Sequence, residues 1–370
     1  MSVRRILYEP GGRRLRLENF PDPEPPPGGF LAEVVFAGVC GTDVHRLAGD
    51  LPAPTTAIAL GHEAVGVVTE LPREGATDSA GRALKRGDRI AWFSPAACGR
   101  CHSCTIDRDP AICEALAWPY PGDQDGSAGF QDIAAIGPHV PVFLLPDELP
   151  LDAASAFGCA MPTALSALDR VGELPIGSVA VVLGSGPVGL AATLALSQRG
   201  FGRLIVVGTG QQRLAAARAF GATDILDIAE SSAGQRRDAV LDISRGRGAD
   251  LVFEAAGFAA AFADGMELLA ARGTLAIVGL YSGAATTLVD PVHINNQQLR
   301  IIGSLGSSPS HLARGIELMA RAQTTLRIDR LVAPVQFPLE QTEEAIRALG
   351  SGTIVKALVA PGAGKVTDSP

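Results

Sequence analysis

Apolar positions along the chain fall into two textures. In the N-terminal third they form short or alternating runs: Ile6-Leu7-Tyr8, Phe30 to Phe36, Ala64 to Thr69 and Arg89 to Phe93. Proline and glycine clusters such as Pro21 to Gly29 separate these runs, which predicts a β-rich unit with many turns. Near residue 160 the texture changes. Val179 to Leu183 is a continuous β-branched apolar run, as expected of a strand buried on both faces. A helical pattern follows over Leu190 to Ser197, then a second buried run over Leu204 to Val207 and a helical segment over Gln211 to Phe220. Further strands are predicted at Asp250 to Glu254, Leu275 to Val278 and Leu299 to Ile302. Strands alternating with helices argue for a parallel sheet covered on both faces. Beyond it the pattern predicts helices over Ser310 to Ala320 and Leu339 to Leu349, a strand over Ile354 to Val359, and a mobile tail from Pro361 to Pro370.

Composition narrows the function classes. The 370 residues suit two domains, and 47% hydrophobic against 19% charged residues predicts a sizeable core and excludes disorder. A net charge of −8 with no dense Lys/Arg stretch argues against a nucleic-acid partner. No run of 18 apolar residues exists, so no membrane span is expected. Met1 to Arg5 holds two arginines but no long apolar stretch follows, so no secretory signal is read and a cytoplasmic location is expected. The 43 glycines call for many tight turns or close backbone approaches.

The six cysteines carry the first chemistry. In such a compartment thiols stay reduced, so disulfides are not expected. Cys98, Cys101, Cys104 and Cys113 lie within 16 residues. Four thiolates at this spacing close a tetrahedral shell, the pattern of structural zinc, in a lobe of about residues 95–115. Iron–sulfur motifs share the first two gaps but continue differently; a cluster of that kind and a metal-free lobe are the alternatives. His102 sits inside the cluster and reads as a solvent-exposed loop histidine, because the thiolates already fill the shell.

Two further segments are Cys40-Gly41-Thr42-Asp43-Val44-His45 and Gly61-His62-Glu63, with a third at Cys159-Ala160-Met161-Pro162-Thr163. Each alone reads as core packing or a structural histidine. Together, two thiolates and one imidazole leave a fourth zinc position open, which is the catalytic arrangement. A glycine turn, Gly184-Ser185-Gly186-Pro187-Val188-Gly189, follows a predicted strand and opens a predicted helix. That context is what a dinucleotide fingerprint needs: backbone close to a pyrophosphate at a helix N-terminus. NAD-selective sites place a carboxylate at the end of the next strand. Here that position is Gly208, which removes repulsion of a 2′-phosphate, and Thr209 and Arg213 stand close by in sequence. NADP is favoured on this ground, with NAD as the alternative and Arg213 as a solvated helix charge.

These motifs, in this order over residues 4 to 360, resemble the zinc-dependent alcohol dehydrogenase branch of the medium-chain dehydrogenase/reductase superfamily. The resemblance implies an α/β fold: a GroES-like β-rich catalytic domain over 1–160 and 305–370, and a Rossmann doubly wound nucleotide-binding domain over 161–304. It implies two zinc ions per chain, one on Cys40, His62 and Cys159 and one on the four-cysteine lobe. Glu63 would lie beside the catalytic ion, and Asp43 would accept a hydrogen bond from the other nitrogen of His62. Thr42 would take the alcohol proton and His45 would pass it on, the alternative for His45 being a structural loop histidine. Thr163 matches a position beside the nicotinamide, and Lys356 one near the cofactor pyrophosphate, with an exposed strand lysine as the alternative. The activity implied is reversible hydride transfer between an alcohol, read as secondary, and the nicotinamide. A homodimer or homotetramer is implied as well. Some polyol-oxidising relatives carry glutamate where Cys159 stands, and the last gap of the cysteine lobe is one residue longer than in the best-known relatives. The competing readings are a metal-free quinone or enoyl reductase of the same superfamily and a non-catalytic zinc-stabilised nucleotide-binding protein. Trp92, Phe93, Trp118 and Tyr120 are pocket candidates, for which packing is the commoner role.

Overall fold

The structure is a computed structural model and describes residues 2–9, 11, 13–94, 97–115, 127–281 and 286–364. The pocket candidates Trp118 and Tyr120, and the end of the tail from residue 365, lie outside the described residues. The chain divides into two compact units, Met1–Cys159 with Ser308–Pro370, and Ala160–Ser307. The sequence reading set these joins at 160/161 and 304/305.

The first unit is built on antiparallel β-structure. Strands Ser2–Glu9 and Arg14–Pro21 form a hairpin in full register, with Ile58–Ala59 on its other side. Three of the eight residues of the second strand are charged, and Arg5–Glu18 and Arg16–Glu9 ion pairs cross between the two. The larger sheet is mixed. It runs Val335–Pro338, Ala357–Ala360, Phe30–Gly38, Ala64–Glu70, Arg89–Trp92 and Val142–Leu144, with Ile133–Ile136 also paired to Phe30–Gly38. Its core includes Val34, Ile90, Trp92, Phe130, Ile136 and Val359. Trp92 is 2% exposed and donates its indole N–H to the Ser127 carbonyl, so it packs the core.

The second unit is a six-stranded parallel sheet in the order Asp224–Asp227, Arg203–Gly208, Val179–Leu183, Ala249–Glu254, Leu269–Ile277, Arg300–Gly303. Strand order reverses between Val179–Leu183 and Ala249–Glu254. Ligands of open α/β sheets bind at such a switch point, outside the C-terminal ends of the strands. Val181, Val182, Ile205, Leu251, Val252 and Phe253 are fully buried, as the continuous apolar runs require. Among the described residues no helix is long and apolar enough to cross a membrane.

Candidate metal centre and nucleotide turn

Three neighbouring strands bring the first site together. Phe30–Gly38 pairs with Ala64–Glu70 so that Ala37 faces Ala64, and with Ala357–Ala360 so that Gly38 faces Leu358. The residues just past these paired ends, Cys40, His62 and Glu63, and Lys356, therefore converge. Cys40 starts the helix Gly41–Ala48, and its backbone N–H donates to Asp43 Oδ2 at 2.8 Å. Asp43 thus fixes the ligand-bearing turn. Its Oδ1 lies 4.0 Å from His62 Nδ1, an ion-pair distance and longer than a hydrogen bond.

Gly61 sets the entry to His62. Its φ is +91°, and a Cβ there would lie 2.6 Å from the Phe130 backbone nitrogen, so only glycine fits. The Glu63 carbonyl accepts from Gly38 N–H at 3.0 Å and from Ser155 Oγ at 2.8 Å. Ser155 lies in the helix Leu151–Ala156, and Cys159 follows that helix.

Ligand atoms of Cys40, His62, Glu63 and Cys159 all lie within 4.8 Å of one another. The Lys356 ammonium is hydrogen-bonded and ion-paired to Glu63 Oε2. Glu63 Oε1 is buried without a partner. An unpaired buried carboxylate oxygen beside two thiols and an imidazole is a donor set made for a cation, and zinc suits its N/S/O character.

The electrostatics agree. The Cys40 thiol is held well below its usual value by its hydrogen bond from Cys159, with His62 and Lys356 adding to this against burial. Burial disfavours a charged His62, yet the Cys40 thiolate, Asp43 and Glu63 hold it up at about 9. Burial, with Cys40, pushes the Glu63 carboxyl up to about 8 against the pull of Lys356. Burial raises Asp43 as well. Burial opposes the Lys356 charge, but Glu63 and Cys40 hold it above its ordinary value.

The placement of Lys356 rules out the exposed strand lysine. Its side chain is 1% exposed and ion-paired to Glu63. The signal was present: one of only three lysines in the chain interrupts the apolar run Ile354 to Val359. Thr42 Oγ1 lies 3.8 Å from Cys40 Sγ. His45 is 28% exposed and its Nδ1 is 3.0 Å from Asp50 Oδ2.

The second cluster is local. Cys98, Cys101, Cys104 and Cys113 also place their sulfurs within 4.8 Å. The lobe is a single turn, His102–Thr105, followed by a 3₁₀ turn, Pro110–Ile112, capped by Asp109. Backbone amides of Arg100 and Cys101 hold Cys98 down at about 6, and those of Glu114 and Cys104 lower Cys101. Burial and the neighbouring Cys101 push Cys104 up to about 12. Amides aimed at sulfur are the environment of metal-bound thiolates. All six cysteines are free of disulfides. His102 is 68% exposed in side chain, near Asp107.

In the second unit the glycine turn joins the strand Val179–Leu183 to the helix Pro187–Ser197. Gly184 has φ +108° and Gly189 packs so closely that a Cβ would lie 1.8 Å from the Gly184 carbonyl oxygen. Gly186, at the helix N-cap, has nothing within 4 Å of where a Cβ would stand. Close packing behind and open space in front form a cradle that fits a pyrophosphate. Pro187 and Val188 open the helix. Gly208 ends the strand Arg203–Gly208, Thr209 is exposed, and Arg213 is half-buried on the next helix, Gln211–Ala219, where burial lowers its pKa. Thr163 is half-buried on the helix Ala160–Val171.

Residues 26–147 match the alcohol dehydrogenase GroES-like domain, and residues 187–321 match the zinc-binding dehydrogenase domain. A 5-exo-hydroxycamphor dehydrogenase of Pseudomonas putida is 33% identical over 91% of this chain and 92% of its own. This chain belongs to the zinc-dependent medium-chain alcohol dehydrogenase family. A sorbitol dehydrogenase of Bacillus subtilis is 31% identical, covering 91% of each chain. An alcohol dehydrogenase of Thermotoga maritima superposes with a TM-score of 0.88 at 27% identity, over 97% of this chain and 99% of that one. A chain described as a zinc-binding dehydrogenase, from Sinorhizobium meliloti and solved with NADP, gives 0.81 at 26% identity over 98% and 100%. The alcohol dehydrogenase described here is accordingly an oxidoreductase that interconverts alcohols and carbonyls.

Proposed function

We propose that this dehydrogenase oxidises a secondary alcohol reversibly, holding one zinc ion on Cys40, His62 and Cys159 and a second on Cys98, Cys101, Cys104 and Cys113. The observation that carries the proposal is the buried group of two thiols, imidazole and carboxylate with an unpaired Glu63 oxygen. A zinc ion held there would supply a Lewis acid for the alcohol or carbonyl oxygen, and a bound dinucleotide would supply the hydride acceptor or donor. Thr42, beside Cys40, takes the alcohol proton, and His45, part-exposed and paired with Asp50, delivers it to solvent. Asp43 holds the Cys40 turn, and Lys356 offsets the charge of Glu63. A relative named for a ring-borne secondary alcohol supports the substrate class.

NADP is the cofactor favoured here. The tip of Arg203–Gly208 has no carboxylate to repel a 2′-phosphate, Arg213 lies on the following helix, and one structural relative binds NADP. Self-association is proposed through the second unit. The edge strand Arg300–Gly303 leaves Ile301 exposed, and Leu288, Val292 and Leu305 are exposed in the same unit.

Metal counting with an activity screen tests the reading. Two zinc ions per chain, and turnover of secondary alcohols, are expected. Cys40→Ala should retain one zinc and lose at least about a hundredfold in turnover. One zinc in the wild type, or normal turnover by that variant, would sink the proposal and favour a metal-free reductase or a scaffold. Light scattering of the intact protein reads the oligomer directly.

A further inference from the structure

Glu254 ends the strand Ala249–Glu254, which pairs with Val179–Leu183 on the side of the switch point away from Arg203–Gly208. It is 0% exposed. Its Oε1 accepts from the Ala256 and Gly257 amides at 2.7 and 2.8 Å. Its Oε2 is buried with no hydrogen-bond partner. The Tyr281 hydroxyl, just past the neighbouring strand Leu269–Ile277, is buried without one too. Burial, and then the nearby Glu254, pushes the Tyr281 phenol up, so the two groups lie close together. Glu63, the other buried glutamate among the described residues, has Lys356 opposite it. No cationic side chain among the described residues pairs with Glu254.

The backbone around Glu254 borders the glycine turn. A Cβ on Gly184 would lie 3.1 Å from Ala255 C and from Ala256 N, so the loop that Glu254 holds packs directly behind that turn. The same loop interlocks with the one after Leu269–Ile277, where a Cβ on Gly279 would lie 2.2 Å from Gly257 N and 2.8 Å from Glu254 Oε2. The Val278 and Gly279 amides donate to the Glu254 carbonyl at 2.9 and 3.0 Å. The side chain is therefore fixed at the ligand end of the sheet. In a doubly wound sheet the half that carries the glycine turn takes the adenosine, and the half across the switch point takes the nicotinamide. Glu254 ends the first strand of that second half.

We propose that Glu254 is a specificity-determining residue for the redox state of the cofactor: its uncompensated negative charge favours the oxidised dinucleotide over the reduced one. This rests on the reading that the turn Gly184–Gly189 binds a nicotinamide dinucleotide. Oxidised and reduced forms share their phosphates and riboses and differ by one positive charge on the nicotinamide ring. A fixed buried charge separates them by Coulomb attraction alone. Two unit charges about 10 Å apart, at an effective dielectric constant of about 20, attract by a factor of roughly ten in affinity.

The test compares the zinc-loaded full chain with its Glu254→Gln and Tyr281→Phe variants. Glutamine has the same size and keeps an acceptor oxygen for the two amides, but carries no charge. Two readouts are used, the thermal midpoint without cofactor, and the dissociation constants of NAD, NADH, NADP and NADPH from calorimetry. Glu254→Gln should weaken the oxidised forms relative to the reduced ones by about threefold or more, in both cofactor pairs. A purely structural role would weaken oxidised and reduced forms by equal factors, so the ratio is what separates the two roles. Tyr281→Phe keeps the carboxylate and should leave that ratio within about twofold of the wild type. An unchanged ratio in Glu254→Gln, whatever its midpoint, or an equal shift in Tyr281→Phe would overturn the proposal. If the wild type bound no dinucleotide in either state, the reading beneath the proposal would fall with it. Binding of both states with an unchanged ratio in Glu254→Gln would sink the proposal alone.

Discussion

Replacing Lys356 by methionine isolates the buried ion pair. Both side chains of that pair are 1% exposed, so methionine fills a similar volume while removing the charge that faces Glu63. In the zinc-stripped protein the Glu63 carboxyl titrates at about 8, against 4.5 for an ordinary glutamate. A carboxyl that binds its proton more tightly when folded makes the fold lose stability as pH rises between those two values. The slope is at most about 1.4 kcal/mol per pH unit, and the loss stops above the folded pKa. Lys356 is one of the groups holding that pKa down. In Lys356→Met the folded value moves above 8 and the loss continues upward. Lys356 in the wild type titrates above 10.5 and contributes evenly across this window, while His62, at about 9, titrates in both proteins. The stability gap between wild type and variant should therefore widen between about pH 8 and 9.5, by up to about 2 kcal/mol. That lies inside the roughly 3–5 kcal/mol that breaking a buried pair can cost. Denaturant unfolding of the chelated proteins across this range measures the gap. Glu63→Gln in both backgrounds should flatten it. A gap that stays constant or narrows with pH, or survives Glu63→Gln, would refute the assignment of Lys356 to Glu63.

Gly61→Ala should destabilise the first unit by more than about 2 kcal/mol, since it meets both a φ of +91° and the Phe130 backbone at 2.6 Å; thermal unfolding reads this, and a neutral result would contradict the packing. Cys104→Ser should lose one of the two proposed zinc ions and make residues 97–115 sensitive to limited proteolysis, while zinc at Cys40, His62 and Cys159 is kept. Elemental analysis with mass mapping of the cuts checks that outcome, and an unchanged metal count would argue against a four-thiolate shell.

The parallel sheet was the most legible part of the chain because its central strands are buried on both faces and therefore read as unbroken apolar runs. Asp224–Asp227 escaped that signal. It is an edge strand of Asp-Ile-Leu-Asp whose four residues are only partly buried, so nothing in its pattern separates it from a loop. Arg14–Pro21 escaped for a related reason: its outward positions are charged, and its stability comes from pairing with Ser2–Glu9. The helix Gly41–Ala48 is short and opens on glycine, which hides it, although its cap, Cys40 with Asp43, was visible as part of the ligand motif. Metal-ligand candidates were legible because their chemistry demands particular residue types at short spacings.

The contacts that tune those ligands were not legible, because they join positions far apart in the chain. Lys356 meets Glu63 across 293 residues, and Ser185 meets Gly208 only after the strand and turn have packed. Ser185 exchanges two hydrogen bonds with Thr209 at the strand tip. Glu63 is held by long-range contacts too, but incompletely. Its backbone carbonyl takes two hydrogen bonds and one carboxylate oxygen takes Lys356, yet the other oxygen is buried with nothing. Leaving a buried acceptor unpaired costs about 1–3 kcal/mol, and more for a charged one. Beside two thiols and an imidazole within 4.8 Å, the single ammonium of Lys356 does not balance the negative charge the cluster can carry. A cation bound at that point would satisfy the unpaired oxygen and the thiolates together, so the strongest structural argument for a metal here is the unsatisfied Glu63 oxygen inside a cluster of thiols and imidazole.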